Sequence, residues 1–331
     1  MADKSIRNHL LSYFPQEKGS LSIHDLLEIL PKPVAERTLR RWLLEEVKKG
    51  NLVRLGQKRA TRYQLNESPQ TFRFEFLNNL PEERQSSVLK QLRDLWTHSS
   101  TALEGNTLTL GDTHFVLEEG LTISGKPIKD HQEVLGHASA IELLYQSLGQ
   151  KLTSEHCFSL HRAVQTEIIY DIDKPNGAWK VRPNGTYTVT SDEQSVYLEY
   201  ALPQHVEQLM KEVLETINLE AASKIKMNEA HIWYAKCHAA IAHIHPFWDG
   251  NGRMARLLSN IPLLKSGLPP IVIPKEKRRE YIQLLADYEI SVGQLSNKTG
   301  VWPKPELLID FEKFCLQCYE ETRRILTVTE S

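Results

Sequence analysis

The chain has 331 residues, with 40 Lys and Arg against 42 Asp and Glu, giving a formal charge of −2. That length accommodates two domains and a sizeable core, and no apolar run approaches the roughly 20 residues of a bilayer-spanning helix. Met-Ala-Asp-Lys at the N-terminus carries no apolar signal region. Cys157, Cys237, Cys315 and Cys318 are too few and too irregular for a disulfide framework, so a cytoplasmic protein without a membrane partner is expected.

The small net charge hides an asymmetry. Residues 1–65 hold thirteen Lys and Arg against seven Asp and Glu, a balance of +6, which leaves −8 for the remainder. A basic head on an acidic body makes DNA a candidate partner for the head alone. Within it, Ser5 to Phe14 and Ser22 to Leu30 read as short amphipathic helices, the second capped by Ser22. Pro31 and Pro33 break the chain. Ala35 to Lys49 reads as a third helix, with Leu39, Trp42, Leu43 and Val47 inward and Arg37, Arg40 and Arg41 outward. Two alternating strands follow, Leu52 to Leu55 and Thr61 to Leu65. Three helices and a basic hairpin resemble the winged helix-turn-helix, whose third helix enters the major groove. Winged helices also dock proteins, so residues 1–66 form a module for either partner.

Asn66 to Pro69 reads as a linker, and the helical signal resumes at Glu82. Glu82 to Ser100 is amphipathic, with Val88, Leu92 and Leu95 on one face, and it runs into Glu104-Gly105. A Glu at a helix C-terminus is on the wrong end of the helix dipole, which calls for a cationic partner from elsewhere. Further helices are expected at Gln132 to Gln146, Ser154 to Thr166, Pro203 to Ile217, Asn228 to His243, Lys277 to Glu289 and Leu307 to Leu326. His137, His156 and His161 read as surface or core polar residues. The Cys315-x-x-Cys318 pair lies in the last helix with no second pair, which predicts packing rather than metal or redox work. Gly177 to Thr190 breaks the helical pattern. Trp179 and Val181, then Asn184-Gly185, then Tyr187 and Val189 predict a β-hairpin with a type I′ turn. Its free edge suits an extended peptide strand.

The chemistry concentrates between two of these helices. Asn228 to His243 places Ile232, Ala235, Ala239 and Ala242 on one face, and Met254 to Leu264 is rich in Leu and Ile. Between them lies His245-Pro-Phe247-Trp-Asp249-Gly250-Asn251-Gly252-Arg253-Met-Ala-Arg256. Its glycines sit at a helix N-terminus, where backbone N–H groups lack intrahelical partners and the dipole is positive, so an anion is welcome. Arg253 and Arg256, three apart, add donors suited to phosphate. Asp249 is a carboxylate able to hold Mg²⁺ beside substrate phosphates. His245, with a reference pKa of about 6.5, can take a proton from a hydroxyl. Together these groups suit attack by a protein hydroxyl on a nucleotide phosphate. A metal alternative rests on His231, His238, His243 and His245. Three of these recur every seven residues rather than at the i, i+4 pairing of metalloprotease helices.

His245 to Arg256 resembles the signature of the Fic family, H-x-F-x-(D/E)-G-N-G-R-x-x-R, at every fixed position. The resemblance implies a mainly α fold: an all-helical Fic core with a β-hairpin flap over residues 86–331, preceded by a linker at 67–85. The implied activity is protein adenylyl transfer (AMPylation), moving AMP from ATP to a Ser, Thr or Tyr hydroxyl of a target protein. It implies His245 as base, Asp249 as Mg²⁺ ligand and Gly250, Asn251 and Gly252 as the anion cradle. Arg253 and Arg256 would hold the β- and γ-phosphates, with Asn260 and Tyr281 towards the adenine. Trp179, Lys180, Val181, Arg182 and Thr188 fall in the flap that docks the target strand. Ser100-x-x-x-Glu104-Gly105 is similar to the (S/T)-x-x-x-E-(G/N) motif of relatives with an inhibitory helix, here about 86–104. In that class the Glu pairs with the second signature arginine, here Arg256, and keeps the ATP γ-phosphate from seating. Other outcomes implied for the family are a different nucleotide donor, removal of AMP, and a homodimer. A separate class is a DNA-binding regulator whose Fic core senses nucleotide.

Overall fold

The computed structural model describes residues 7, 10–14, 19–48, 52–55, 61–65, 74–167, 171–189 and 194–328. The chain divides into two compact units, Met1–Phe72 and Arg73–Ser331.

In the first unit, β1 (Ser20–Ser22) leads into α1 (Ile23–Ile29), followed by α2 (Glu36–Lys48), β2 (Leu52–Leu55) and β3 (Arg62–Leu65). The strands form an antiparallel sheet in the order β1-β3-β2, with Tyr63 opposite both Leu21 and Arg54. Ser22 caps α1 through a reciprocal box with Asp25, and Arg62 reaches Asp25 at 3.0 Å, tying sheet to helix. Leu26, Leu39, Trp42, Leu43, Leu52 and Tyr63 close the core. Strand β1 was not legible in the sequence, because three residues are too few to show alternation. Of the helix expected over Ser5 to Phe14, only 7 and 10–14 are described, and Leu10–Tyr13 is a 3₁₀ turn. The Gly56 to Arg59 connection and the Asn66 to Pro69 linker lie outside the described residues.

The second unit is built on helices. In order they are α3 (Glu82–Leu103), α4 (Leu110–Glu119), α5 (Ile128–Ser147), α6 (Ser154–Val164), α7 (Pro203–Ser223), α8 (Ala230–Ile244), α9 (Asn251–Leu258), α10 (Ile261–Lys265), α11 (Arg278–Val292) and α12 (Ile309–Val328). Helix α8 is central and packs against α7, α9, α10, α11 and α12. Its Ala235, Ala239 and Ala240 are buried, and these small side chains let neighbours approach closely. Ile232, expected inward, is 39% exposed. Cys315 and Cys318 sit in the core cluster of α8, α11 and α12, as packing groups. Among the described residues no helix is long and apolar enough to cross a membrane.

Three local expectations differ from the structure. The helix expected over Met254 to Leu264 is two helices, because Pro262 has no N–H to return to the preceding turn. Helix α4 was not anticipated, although Thr109 and Asp112 form a capping box and Gly120 ends it at φ +67°. The hairpin pairs β4 (Gly185–Val189) with β5 (Ser195–Glu199), Tyr187 facing Tyr197, so Asn184-Gly185 is not its turn. Residues 178–184 are not a strand. Lys180 is buried and Trp179 half-buried there, and Pro183 lacks a ladder N–H.

Candidate active site

Helix α8 ends at Ile244, and His245 closes it in the left-handed region, φ 52° and ψ 60°, its N–H bonding Ile241 O at 3.0 Å. A non-glycine residue there carries a steric cost and persists only where its surroundings fix it. The imidazole stacks on Tyr200 at 3.7 Å between ring centres, 5° from parallel. Nδ1 lies 3.2 Å from Ala242 O. A carbonyl only accepts, so Nδ1 carries the hydrogen and Nε2 keeps a lone pair. Burial, then the nearby Lys180 ammonium, push His245 down to about 3, well below the 6.5 expected from sequence. It is therefore a neutral imidazole across the physiological range.

Downstream, Phe247 is fully buried, stacked on His161 at 4.0 Å and tilted against Trp179 at 5.1 Å. The Asn251 side chain grips the Phe247 backbone both ways. Oδ1 accepts the N–H at 2.9 Å, and Nδ2 donates to the carbonyl at 2.9 Å. The Asn251 side chain therefore builds the loop, and its backbone N–H stands among those at the start of α9. Gly250 adopts φ +77°, and the first bond of α9 runs from Met254 N–H to Gly250 O at 3.0 Å. The amides of Asn251, Gly252 and Arg253 precede that bond and form the helix's positive end. Gly250 N–H instead donates to Asp249 Oδ1 at 2.7 Å. The Asp249 carboxylate is exposed, with Oδ2 3.9 Å from Arg253 Nη2. A small cleft of about 150 Å³ opens beside Asp249 and Arg253, lined also by Lys129, Glu133 and Gln165.

The two arginines differ. Arg253 is anchored to the C-terminus of α6, donating to Val164 O at 3.1 Å and Gln165 Oε1 at 3.3 Å. Arg256, 2% exposed, donates to Ser100 Oγ at 2.9 Å, Ser100 O at 2.8 Å, Tyr281 Oη at 3.2 Å and Glu104 Oε1 at 2.6 Å. Burial works against its charge, yet the neighbouring Tyr281 and Glu104 leave its pKa raised. Glu104 thus has the cationic partner that its place at the end of α3 called for. Arg278 Nε donates to Leu103 O at 2.7 Å and helps close that helix end, and Gly105 turns the chain at φ +102°. A Cβ on Gly252 would overlap Glu104 Oε1. The carboxylate therefore packs against Gly252 while it pairs with Arg256.

The sequence pattern of the Fic/DOC family matches residues 151–263, which contain this loop. A crystal structure of a Fic domain containing signaling protein from Bacteroides thetaiotaomicron superposes with a TM-score of 0.64 at 30% identity, covering 77% of this chain and 91% of that one. The chain belongs to the Fic family. Protein adenylyltransferase fic-1 of Caenorhabditis elegans is 34% identical over 203 residues, 59% of this chain and 36% of the relative. Protein adenylyltransferase Fic of Drosophila willistoni is 33% identical over 228 residues, 68% of this chain and 40% of the relative. This Fic chain thus spans about two fifths of the length of these curated relatives.

Other residues expected at the site take different places. Asn260 is fully buried and donates to Arg256 O and Ile271 O, each at 3.0 Å, while accepting Ile271 N–H at 2.7 Å. It holds the chain after α9 through both side-chain atoms. Tyr281 is buried under Arg256, its hydroxyl accepting from the guanidinium and lying 3.0 Å from His238 Nε2. Val181 and Arg182 are exposed, with Arg182 bound to Asp173 at 2.9 Å, and Thr188 lies half-buried on β4. Lys180 is buried, and Trp179 is half-buried against Phe158 and Phe247. The exposed rings of the hairpin are Tyr187 and Tyr197.

The sequence reads His161 as a surface or core polar residue, yet it joins two loops. Gly177 N–H donates to its Nδ1 at 2.9 Å, so Nε2–H donates to Asp249 O at 3.0 Å. Burial pushes its pKa down to about 4, which keeps that tautomer neutral. Nothing in its sequence spacing marks this role. Among the described residues no three His, Cys, Asp or Glu side chains cluster as a metal site.

Proposed function

We propose that this Fic protein is an adenylyltransferase held in check by its own Glu104, using ATP and Mg²⁺ to modify a Ser, Thr or Tyr hydroxyl of a target protein. The observation that carries it is the grip of Glu104 on Arg256 against Gly252, in the same signature loop and helix as a His245 whose Nε2 keeps its lone pair. The adenylyltransferase names of the relatives support the same activity. The target hydroxyl attacks the α-phosphorus and the Pα–O bond to the β-phosphate breaks. The hydroxyl proton passes to His245 Nε2, and pyrophosphate leaves. The amides of Asn251, Gly252 and Arg253 face the charge that develops on the phosphates. Asp249 supplies one exposed carboxylate, which fits an ion that takes its remaining oxygens from phosphates and water. When bound, such an ion neutralises phosphate charge.

With Glu104 in place, two groups meet at one fork: a carboxylate and a γ-phosphate compete for the Arg256 guanidinium. Removing the carboxylate leaves the arginine to the nucleotide. The β4–β5 hairpin, with Tyr187 and Tyr197 outward, offers the surface on which a target strand would align. Residues 1–66 enter this proposal as a winged-helix module that brings the enzyme to DNA, on their +6 balance and the exposed Arg37 and Arg41 of α2.

Mass spectrometry of purified Glu104→Gly after incubation with ATP and Mg²⁺ tests the activity. We expect a mass gain corresponding to AMP, absent in Glu104→Gly/His245→Ala and at least tenfold weaker in the parent. Equal modification of parent and Glu104→Gly would remove the inhibitory role, and no AMP adduct on any protein would remove the activity.

A further inference from the structure

His245 and Lys224 are the only non-glycine residues with positive φ among those described, and the strain at His245 falls on the residue that must aim a lone pair. The adjoining helices hold this backbone only in part, through His245 N–H on Ile241 O and the Asn251 side chain on Phe247. The segment Gly177 to Asn184 lies along it and donates to three of its carbonyls. Lys180 N–H bonds Pro246 O at 2.9 Å, Lys180 Nζ reaches Ile244 O at 3.3 Å, and Asn184 Nδ2 reaches Phe247 O at 3.2 Å. The two side chains are themselves joined, Lys180 Nζ donating to Asn184 Oδ1 at 2.6 Å. Residues 244, 246 and 247 flank the histidine on both sides.

The same strap reaches the ring. Lys180 Nζ lies 5.8 Å from the centre of the Tyr200 ring, on which the His245 imidazole stacks. Tyr200 N–H in turn donates to Asn184 O at 3.2 Å. One buried ammonium, 2% exposed, thus sits at the junction of the lysine–asparagine pair, the Ile244 carbonyl and the aromatic platform. No carboxylate pairs with it among the described residues, and burial alone pushes its pKa down to about 7. A lysine kept in so costly a place, without an ion-pair partner, is there for its donors. Its charge lies close enough to His245 to oppose protonation of the imidazole.

We propose that Lys180 and Asn184 are positioning residues for His245, forming a strap that locks its left-handed backbone and its ring so that Nε2 faces the target hydroxyl. This rests on His245 acting as the base, and assigns the strap to the enzyme's chemistry rather than to its target-docking surface. None of the strap's hydrogen bonds goes to Arg256 or to a backbone N–H of α9, although Asn184 shares the Phe247 carbonyl with Asn251, so the proposal predicts a change in kcat with little change in nucleotide binding.

The test uses the full chain with Glu104→Gly as parent, adding Lys180→Met or Asn184→Ala. Lys180→Met keeps the length of the side chain and removes the ammonium, and Asn184→Ala removes one tie while keeping the lysine. We expect kcat for AMP transfer to fall at least tenfold in Lys180→Met and at least threefold in Asn184→Ala, with KM for ATP within twofold of the parent. In parallel, the ¹³Cε1–¹H signal of His245, assigned by its loss in His245→Gln, reports the ring without requiring turnover. We expect its titration midpoint to rise in Lys180→Met. A kcat within twofold of the parent in both variants, or a His245 signal unmoved in Lys180→Met, overturns the proposal. A matched rise in KM for ATP assigns the strap to binding and also overturns it. If the Glu104→Gly parent transfers no AMP, the enzymatic reading fails, while the His245 signal still decides whether the strap governs the imidazole. Should Lys180→Met not fold, Asn184→Ala alone carries the decision through its kcat.

Discussion

At the scale of single residues, the site separates groups aimed at chemistry from groups that only build it. In the proposed mechanism His245 and Glu104 are of the first kind, while the side chains of Asn251, Asn260 and Tyr281 bond only protein groups in this structure. Residue type alone did not distinguish them, because an Asn amide that cradles phosphate and one that braces backbone look the same in sequence. The neighbours decide: Asn260 makes three hydrogen bonds to backbone while fully buried. Asn260→Ala leaves those backbone groups unpaired and should cost about 2 kcal/mol of stability, a typical penalty for buried unmet donors and acceptors. Denaturant unfolding measures that loss. Competition of ATP with other nucleoside triphosphates in the Glu104→Gly background should be unchanged, and an altered nucleotide preference would return Asn260 to the adenine site.

Elements place these residues where sequence separation would not. Helix α3 carries Ser100 and Glu104 to Arg256 across more than 150 residues, and it packs against α4, α5 and α9. Its C-terminal carboxylate is tolerable because a buried guanidinium meets it there. The β4–β5 hairpin keeps two tyrosines outward, while the preceding segment is drawn down onto the signature loop. In the N-terminal unit, α2 has one buried face around Leu39, Trp42 and Leu43 and turns Arg37 and Arg41 outward. If α2 enters a major groove, Arg37→Glu/Arg41→Glu should weaken duplex binding by the full chain at least tenfold. The parent's affinity should also fall steeply with added salt. A gel-shift series in which the parent shows no salt-dependent shift would leave the unit as a protein-docking module.

Across the whole molecule, acid stability follows from the histidines that folding buries. Burial holds His161 and His243 at about 4 and His238 and His245 at about 3. His98 and His137 are lowered by the same cause. Each unfolded imidazole takes a proton near 6.5 while its folded counterpart does not. Below pH 6.5 the unfolded state therefore binds more protons, and stability falls as pH drops towards the folded values. The slope approaches about 1.4 kcal/mol per pH unit for each such group. Glu289, raised to about 8 by burial, acts in the opposite sense, because its unfolded carboxyl ionises above 4.5 while the folded one stays protonated. Several histidines outweigh one carboxyl, so lowering the pH from 6.5 to 5 should reduce the melting temperature of the 73–331 unit. A calorimetric transition that does not move over this range would contradict the buried, neutral assignment of these rings.

The sequence by itself determined the parts that are local. Helical periodicity located most of the helices, and Ser22 marked a cap. Twelve contiguous residues carried the family signature, the proposed base and the arginines, because a loop that caps a helix is written in one stretch. It also marked Glu104 as misplaced on its own helix. What only the tertiary structure decided depends on residues far apart in the chain. Such features are the tautomer and depressed pKa of His245, the place of Glu104 against Gly252, His161 bridging two loops, and Lys180 turned from the flap to the core. Each is set by desolvation and by hydrogen bonds whose partners lie on other elements, and neither is written in the spacing of residues along one element.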